Sequence, residues 1–149
     1  MKAKFFITAF LISTLCFAQD KCENTEELIS IIEQNYREIP ADGAKYVFVN
    51  GCKYLIGVGT ASTKSKGMSR VAKMKADRAI TSLIHGTNVT SQTIMTTEEI
   101  ISDDMVSFAE TFKDEIQENS NGHISGMPML TTFKSSNGET FIYVIFKAL

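Results

Sequence analysis

The sequence holds little from which a reactive centre could be built. Two histidines, His85 and His123, and three cysteines, Cys16, Cys22 and Cys52, occur in 149 residues. The histidines are far apart, and neither has a carboxylate at metal-ligand spacing, so the pattern predicts no metal centre. A helix-cap role suits His85 and a strand-start role suits His123. No Cys-x-x-Cys pair supports redox catalysis, and no Gly-x-Ser-x-Gly run supports a nucleophile elbow. Glu98-Glu99 and Asp103-Asp104 are adjacent pairs, and adjacent helical residues do not share a face. Gly57 and Gly59 precede a helical stretch, as in a dinucleotide fingerprint, but residue 62 is Ser where the third glycine belongs. Gly67 is followed by Met68, not by the Lys-Ser/Thr of a phosphate loop. The expectation is a protein that is not an enzyme and uses no cofactor.

Long apolar runs are also scarce. The one pronounced run spans Phe5 to Phe17, behind Lys2 and Lys4 and ahead of the polar Gln19-Asp20-Lys21. It is shorter than the roughly 20 residues that cross a bilayer, and it lacks the periodic polar residues of a core helix. Residues 1–18 are therefore expected to be a cleavable secretion signal, with Cys16 and Ala18 as the small residues before the cut. Residues 19–149 are then one exported domain in the periplasm or at the outer membrane. Cys16 offers a minor reading as a lipid anchor, although Ser13 and Leu15 stand where lipoprotein signals carry a leucine and a small residue. Removing Lys2 and Lys4 from 15 basic residues leaves 13 against 17 acidic ones, a net charge of −4. That mild acidity speaks against nucleic acid as a partner. An oxidising compartment permits a disulfide between Cys22 and Cys52, and free thiols are the alternative. Asn88-Val89-Thr90 is a formal glycosylation sequon, meaningful only where the host glycosylates exported proteins.

Periodicity divides the mature chain into eight elements. Leu28, Ile31, Ile32 and Tyr36 predict a helix over 24–36, with Asn24 and Glu27 placed as a capping box. Two β-rich runs flank Asn50-Gly51, a type I′ hairpin signal. Gly57 and Gly59 fall on one face of the second run and leave room for close packing. Ala72, Ala76, Ala79, Ile80 and Leu83 make a narrow stripe on a helix over 68–85, which Gly86 is expected to end as a left-handed cap. A strand over 88–97 follows, then a helix capped by Ser102 with the stripe Met105, Phe108, Ala109, Phe112 and Ile116. Runs over 124–134 and 139–147 surround a second Asn-Gly pair at Asn137-Gly138. The last run, apolar on both faces, should be interior. The predicted class is α+β, with helices packed on a mostly antiparallel sheet in the order α-β-β-α-β-α-β-β.

Charge is uneven along this chain. Lys64, Lys66, Arg70, Lys73, Lys75 and Arg78 form a basic cluster offset by Asp77, and 98–118 is an acidic counterpart. Two solvated faces are the plain account. The functional account is a pair of complementary surfaces, or an anionic-ligand face that takes a lipid head group or glycan. No aromatic residue interleaves these cations, which disfavours single-stranded nucleic acid.

Ile56-Gly-Val-Gly59-Thr-Ala61, the alanine-spaced helix with Ala72, Ala76 and Ala79, then Gly126 and the closing Tyr143-Val-Ile-Phe together resemble a bacterial envelope family. This is the LPP-twenty-like lipoprotein family, whose module is similar to the N-terminal domain of flagellar assembly protein T. The resemblance covers roughly residues 52 to 148. It implies a small α+β domain in the cell envelope with no enzymatic activity, acting as an interaction or assembly module through another envelope protein or self-association.

Overall fold

The computed structural model describes residues 22, 24–86, 88–118 and 126–149. The expected signal segment, Cys16 and His123 lie outside them. Among the described residues, three α-helices and a five-stranded mixed sheet make up an α+β domain.

Helix α1 spans Glu26–Tyr36 and buries Leu28, Ile32 and Tyr36, a four-residue repeat that aligns them on one stripe. Asn24 accepts the Glu26 N–H at 3.0 Å, and Glu26 and Glu27 complement the helix dipole. The expected capping box does not form, because the Glu27 carboxylate accepts the Asn50 amide of the first hairpin. That hairpin joins β1, Gly43–Val49, to β2, Cys52–Ser62. Asn50 and Gly51 both have positive φ, 49° and 78°, as a type I′ turn requires.

Helix α2, Met68–Gly86, lies on β2 and on the last strand, β5, Thr140–Ala148. The glycines on β2 set the distance. A Cβ on Gly59 would stand 1.8 Å from the Ala72 carbonyl oxygen, and one on Gly57 2.6 Å from Ile80 Cγ1. Gly86 is the last helical residue rather than a left-handed cap, a one-residue difference of the kind frayed helix ends produce. Helix α3, Asp103–Glu118, begins at Ser102, whose carbonyl and hydroxyl both accept from the Met105 N–H at 3.1 and 3.4 Å. It buries Met105 and Ala109 and sets Phe112 edge-on to Tyr46 and Phe108 edge-on to Phe48, with centroids 6.3 and 6.0 Å apart.

Two expected strands are shorter than predicted. Of 88–97 only β3, Ile94–Thr96, pairs, because Ser91–Thr93 winds into a 3₁₀ turn. Thr90 donates its N–H to the Thr93 hydroxyl at 3.1 Å and receives the Thr93 N–H at 2.9 Å, so local threonine bonding outcompetes the ladder. Residues 124 and 125 of the second lie outside the described residues; of 126–134 only β4, Met129–Lys134, is strand, entered through Pro128, which has no N–H to give. Residues 135–139 connect β4 to β5, so Asn137-Gly138 is not a two-residue turn. Asn137 instead accepts the Glu139 N–H at 3.0 Å and the Ser135 hydroxyl at 2.6 Å, and only Gly138 has positive φ.

The strand order is β3-β1-β2-β5-β4. The mostly antiparallel expectation is met in part: β1–β2, β2–β5 and β4–β5 are antiparallel, whereas β3 runs parallel to β1. Side-chain alternation gives each interior strand two apolar faces. Val47, Ile56, Val58, Ile142 and Val144 meet α1 on one side; Tyr46, Leu55 and Ile145 meet α2 and α3 on the other. The Leu149 N–H bonds the Lys53 carbonyl at 2.9 Å, mooring the last residue beside the start of β2.

Candidate functional site

The six basic residues do not share one surface. Lys73 and Lys75 are two residues apart, about 200° around a helix. Lys73 pairs with Asp77 at 3.2 Å on one flank of α2, and Lys75 pairs with Asp42 at 3.2 Å on the other. Arg70 and Arg78 lie on the outward stripe with exposed Met74 between them, and Val71 is exposed beside them. Lys64 and Lys66 are exposed ahead of the helix. Neither Lys73 nor Lys75 pairs with the acidic 98–118 stretch, whose acidic residues are exposed on α3 and the segment before it.

On the Lys75 flank, α2 and the start of β1 bound a groove of about 440 Å³. Asp42, Gly43 and Ala44 form one wall, Lys75, Arg78, Ala79, Ser82 and Leu83 the other, and Thr93 closes the end. Asp42 organises this wall. Its Oδ1 accepts the Thr60 N–H and the Thr60 hydroxyl, both at 2.7 Å, and its Oδ2 meets Lys75. Partial burial raises the Asp42 pKa, but the Thr60 hydrogen bonds and the Lys75 charge outweigh it and hold the carboxyl below its ordinary value. Arg78 makes no ion pair among the described residues. Ala79, expected in the buried stripe, is only half-buried because it lines the groove. Sequence reasoning missed Asp42. Its partners lie 18 and 33 positions away, beyond any local spacing signal.

Cys22 and Cys52 are joined by a disulfide with a Cα–Cα distance of 5.5 Å. The Tyr54 hydroxyl donates to the Cys22 carbonyl at 3.1 Å, and Asn24, Glu27 and Leu28 border a second recess of about 370 Å³ beside it. Burial and the Glu27 charge raise the Tyr54 pKa. His85 is exposed in the last turn of α2. Among the described residues no cluster of three His, Cys, Asp or Glu side chains could hold a metal ion, and no helix is long and apolar enough to cross a membrane. No family model matches the chain, and no match is found among curated proteins or among solved structures.

Proposed function

We propose that this chain is an exported, non-catalytic envelope protein, an interaction or assembly module of the LPP-twenty-like kind, working in the periplasm or at the outer membrane. The observation that carries the reading is the Cys22–Cys52 disulfide, a bond of the kind that oxidising compartments favour. It joins the signal-like features of residues 1–18. Native crosslinking of fractionated cells is the test. A stable partner or a self-contact in the envelope fraction is expected, and a chain that stays monomeric and uncaptured there would overturn the reading. Intact mass separates the two forms of export, a soluble chain starting near Gln19 or an acylated one starting at Cys16.

A second reading has its own support. Arg70, Met74 and Arg78 repeat every four residues on the exposed stripe of α2, with Val71 beside them and Lys64 and Lys66 ahead. A mixed basic and apolar helix face of this kind suits an anionic lipid head group or glycan. Sedimentation with anionic vesicles tests it. Reversing Arg70 and Arg78 should abolish binding that reversing the already paired Lys73 leaves in place.

A further inference from the structure

The groove on the Lys75 flank has one wall that the ladder geometry explains. Val49 and Cys52 flank the two-residue turn, so they exchange both hydrogen bonds. Alternation then assigns Val47, Lys45 and Gly43 to β2 and turns the N–H and C=O of Phe48, Tyr46 and Ala44 to the opposite edge of β1. Strand β3 faces only Tyr46, Val47 and Phe48. The chain that would face Ala44 has become the 3₁₀ turn, whose Thr93 N–H is spent on Thr90. No backbone bond outside the ladders reaches Ala44 among the described residues. An open rung of sheet therefore lies along the groove wall.

On the groove side of that rung the uncompensated charge is Arg78, since Lys45 lines a different recess with Tyr36 and donates to the Gln92 carbonyl. Asp42 and Lys75 neutralise each other at 3.2 Å, and Arg78 stands at the rim without an ion pair among the described residues. Ala79 and Leu83 supply a small apolar surface to the same groove. A volume of about 440 Å³ suits a small ligand rather than a folded partner. One carboxylate, one backbone amide and one small apolar side chain match these three features, and the end of an extended peptide carries all three.

We propose that this groove captures the carboxyl end of an extended peptide. The terminal carboxylate meets Arg78, where a guanidinium can hold both oxygens. The last amide pairs with the open Ala44 rung, as in addition of a strand to a sheet edge. The last side chain rests on Ala79 and Leu83. The proposal rests on the reading of the chain as an interaction module and names one thing it would hold.

The test titrates the oxidised protein, without its leader, with acetyl-Gly-Val-Ala, with the same peptide amidated at its carboxyl end, and with inorganic phosphate. Calorimetry reads affinity and amide NMR reads location. Saturable binding of the free acid at millimolar concentration or below is expected, with shifts at residues 43–45 and 78–83. Amidation and Arg78→Ala should each weaken it about tenfold or more. Arg70→Ala, which removes the same charge outside the groove, should leave it unchanged. Absence of saturable binding, equal affinity for the amide, or equal loss in both arginine variants would overturn the proposal. Phosphate binding as tightly as the peptide without moving Ala44 would also overturn it, leaving a plain anion site. A silent titration alongside a crosslinked envelope partner removes the groove alone, whereas a bound peptide with no partner removes the assembly reading.

Discussion

Gly59 faces the backbone of α2 so closely that its missing side chain is a structural requirement. In Gly59→Ala the new Cβ would overlap the Ala72 carbonyl, 1.8 Å away, so the helix axis itself must move. A loss of about 1–3 kcal/mol is expected, read by urea unfolding. Gly43→Ala is the control, since nothing lies within 4 Å of its Cβ position. Tyr46 presents the opposite case. Its hydroxyl is buried with no hydrogen-bond partner, although its ring packs against Phe112. An unsatisfied buried hydroxyl costs about 1–3 kcal/mol, so Tyr46→Phe should match or exceed the parent in stability. Burial and the Asp114 charge push the Tyr46 pKa from 10.0 up to about 12. Sign follows from linkage: the unfolded chain loses this proton first, so stability is intact below pH 10 and declines as pH rises towards 12. Tyr36 and Tyr54 shift in the same direction. Tyr46→Phe should make the alkaline decline shallower in a pH series of melting curves.

At the scale of elements, the Cys22–Cys52 bond fastens the leading end of α1 to the start of β2 across a separation of 30 residues. Loop-closure entropy makes that link worth about 3–4 kcal/mol. Replacing both cysteines by serine should lower stability by about that amount, and reductant should do the same to the parent and nothing to the variant. Asp42 holds the far end of the β1–β2 hairpin through Thr60, and its carboxyl titrates below its ordinary value of 3.8. Its contribution is therefore present above pH 3.8 and fades as pH falls through the depressed folded value. Asp42→Asn should flatten this part of the acid limb. The elements differ in how far sequence foretold them. The first Asn-Gly turn was legible because both residues needed positive φ and nothing nearby competed. The second was misread in detail, since the Asn137 side chain and the Ser135 hydroxyl build a longer loop from contacts that spacing does not reveal. Strand β3 was overestimated for a related reason: threonine favours strands on average, yet Thr90 and Thr93 satisfy each other locally.

For the whole molecule, the helical stripes and the two-faced β5 run revealed the layers. Periodicity reports which residues are buried, and burial here is governed by one sheet with helices on both sides. The basic cluster was legible as composition but not as geometry. Its members diverge around α2; Asp77 neutralises Lys73 from one turn along the same helix, whereas the carboxylate that neutralises Lys75, Asp42, is brought there only by the tertiary fold. The groove was invisible in sequence because its decisive feature, the open rung at Ala44, depends on where β3 happens to start. One further property emerges from where the chain is moored. Cys22 is bonded to Cys52, and Leu149 rests on Lys53, so both ends of the described fold attach at neighbouring residues. Strands β2 and β5 run antiparallel from that corner, with Tyr54 opposite Ala148 as the first rung. A mechanical load applied through residues 22 and 149 therefore peels β5 from β2 one rung at a time instead of shearing all rungs together. Tethered by those ends, the domain would behave as a compliant link that yields at low force, while the loop closed by the disulfide bears no tension.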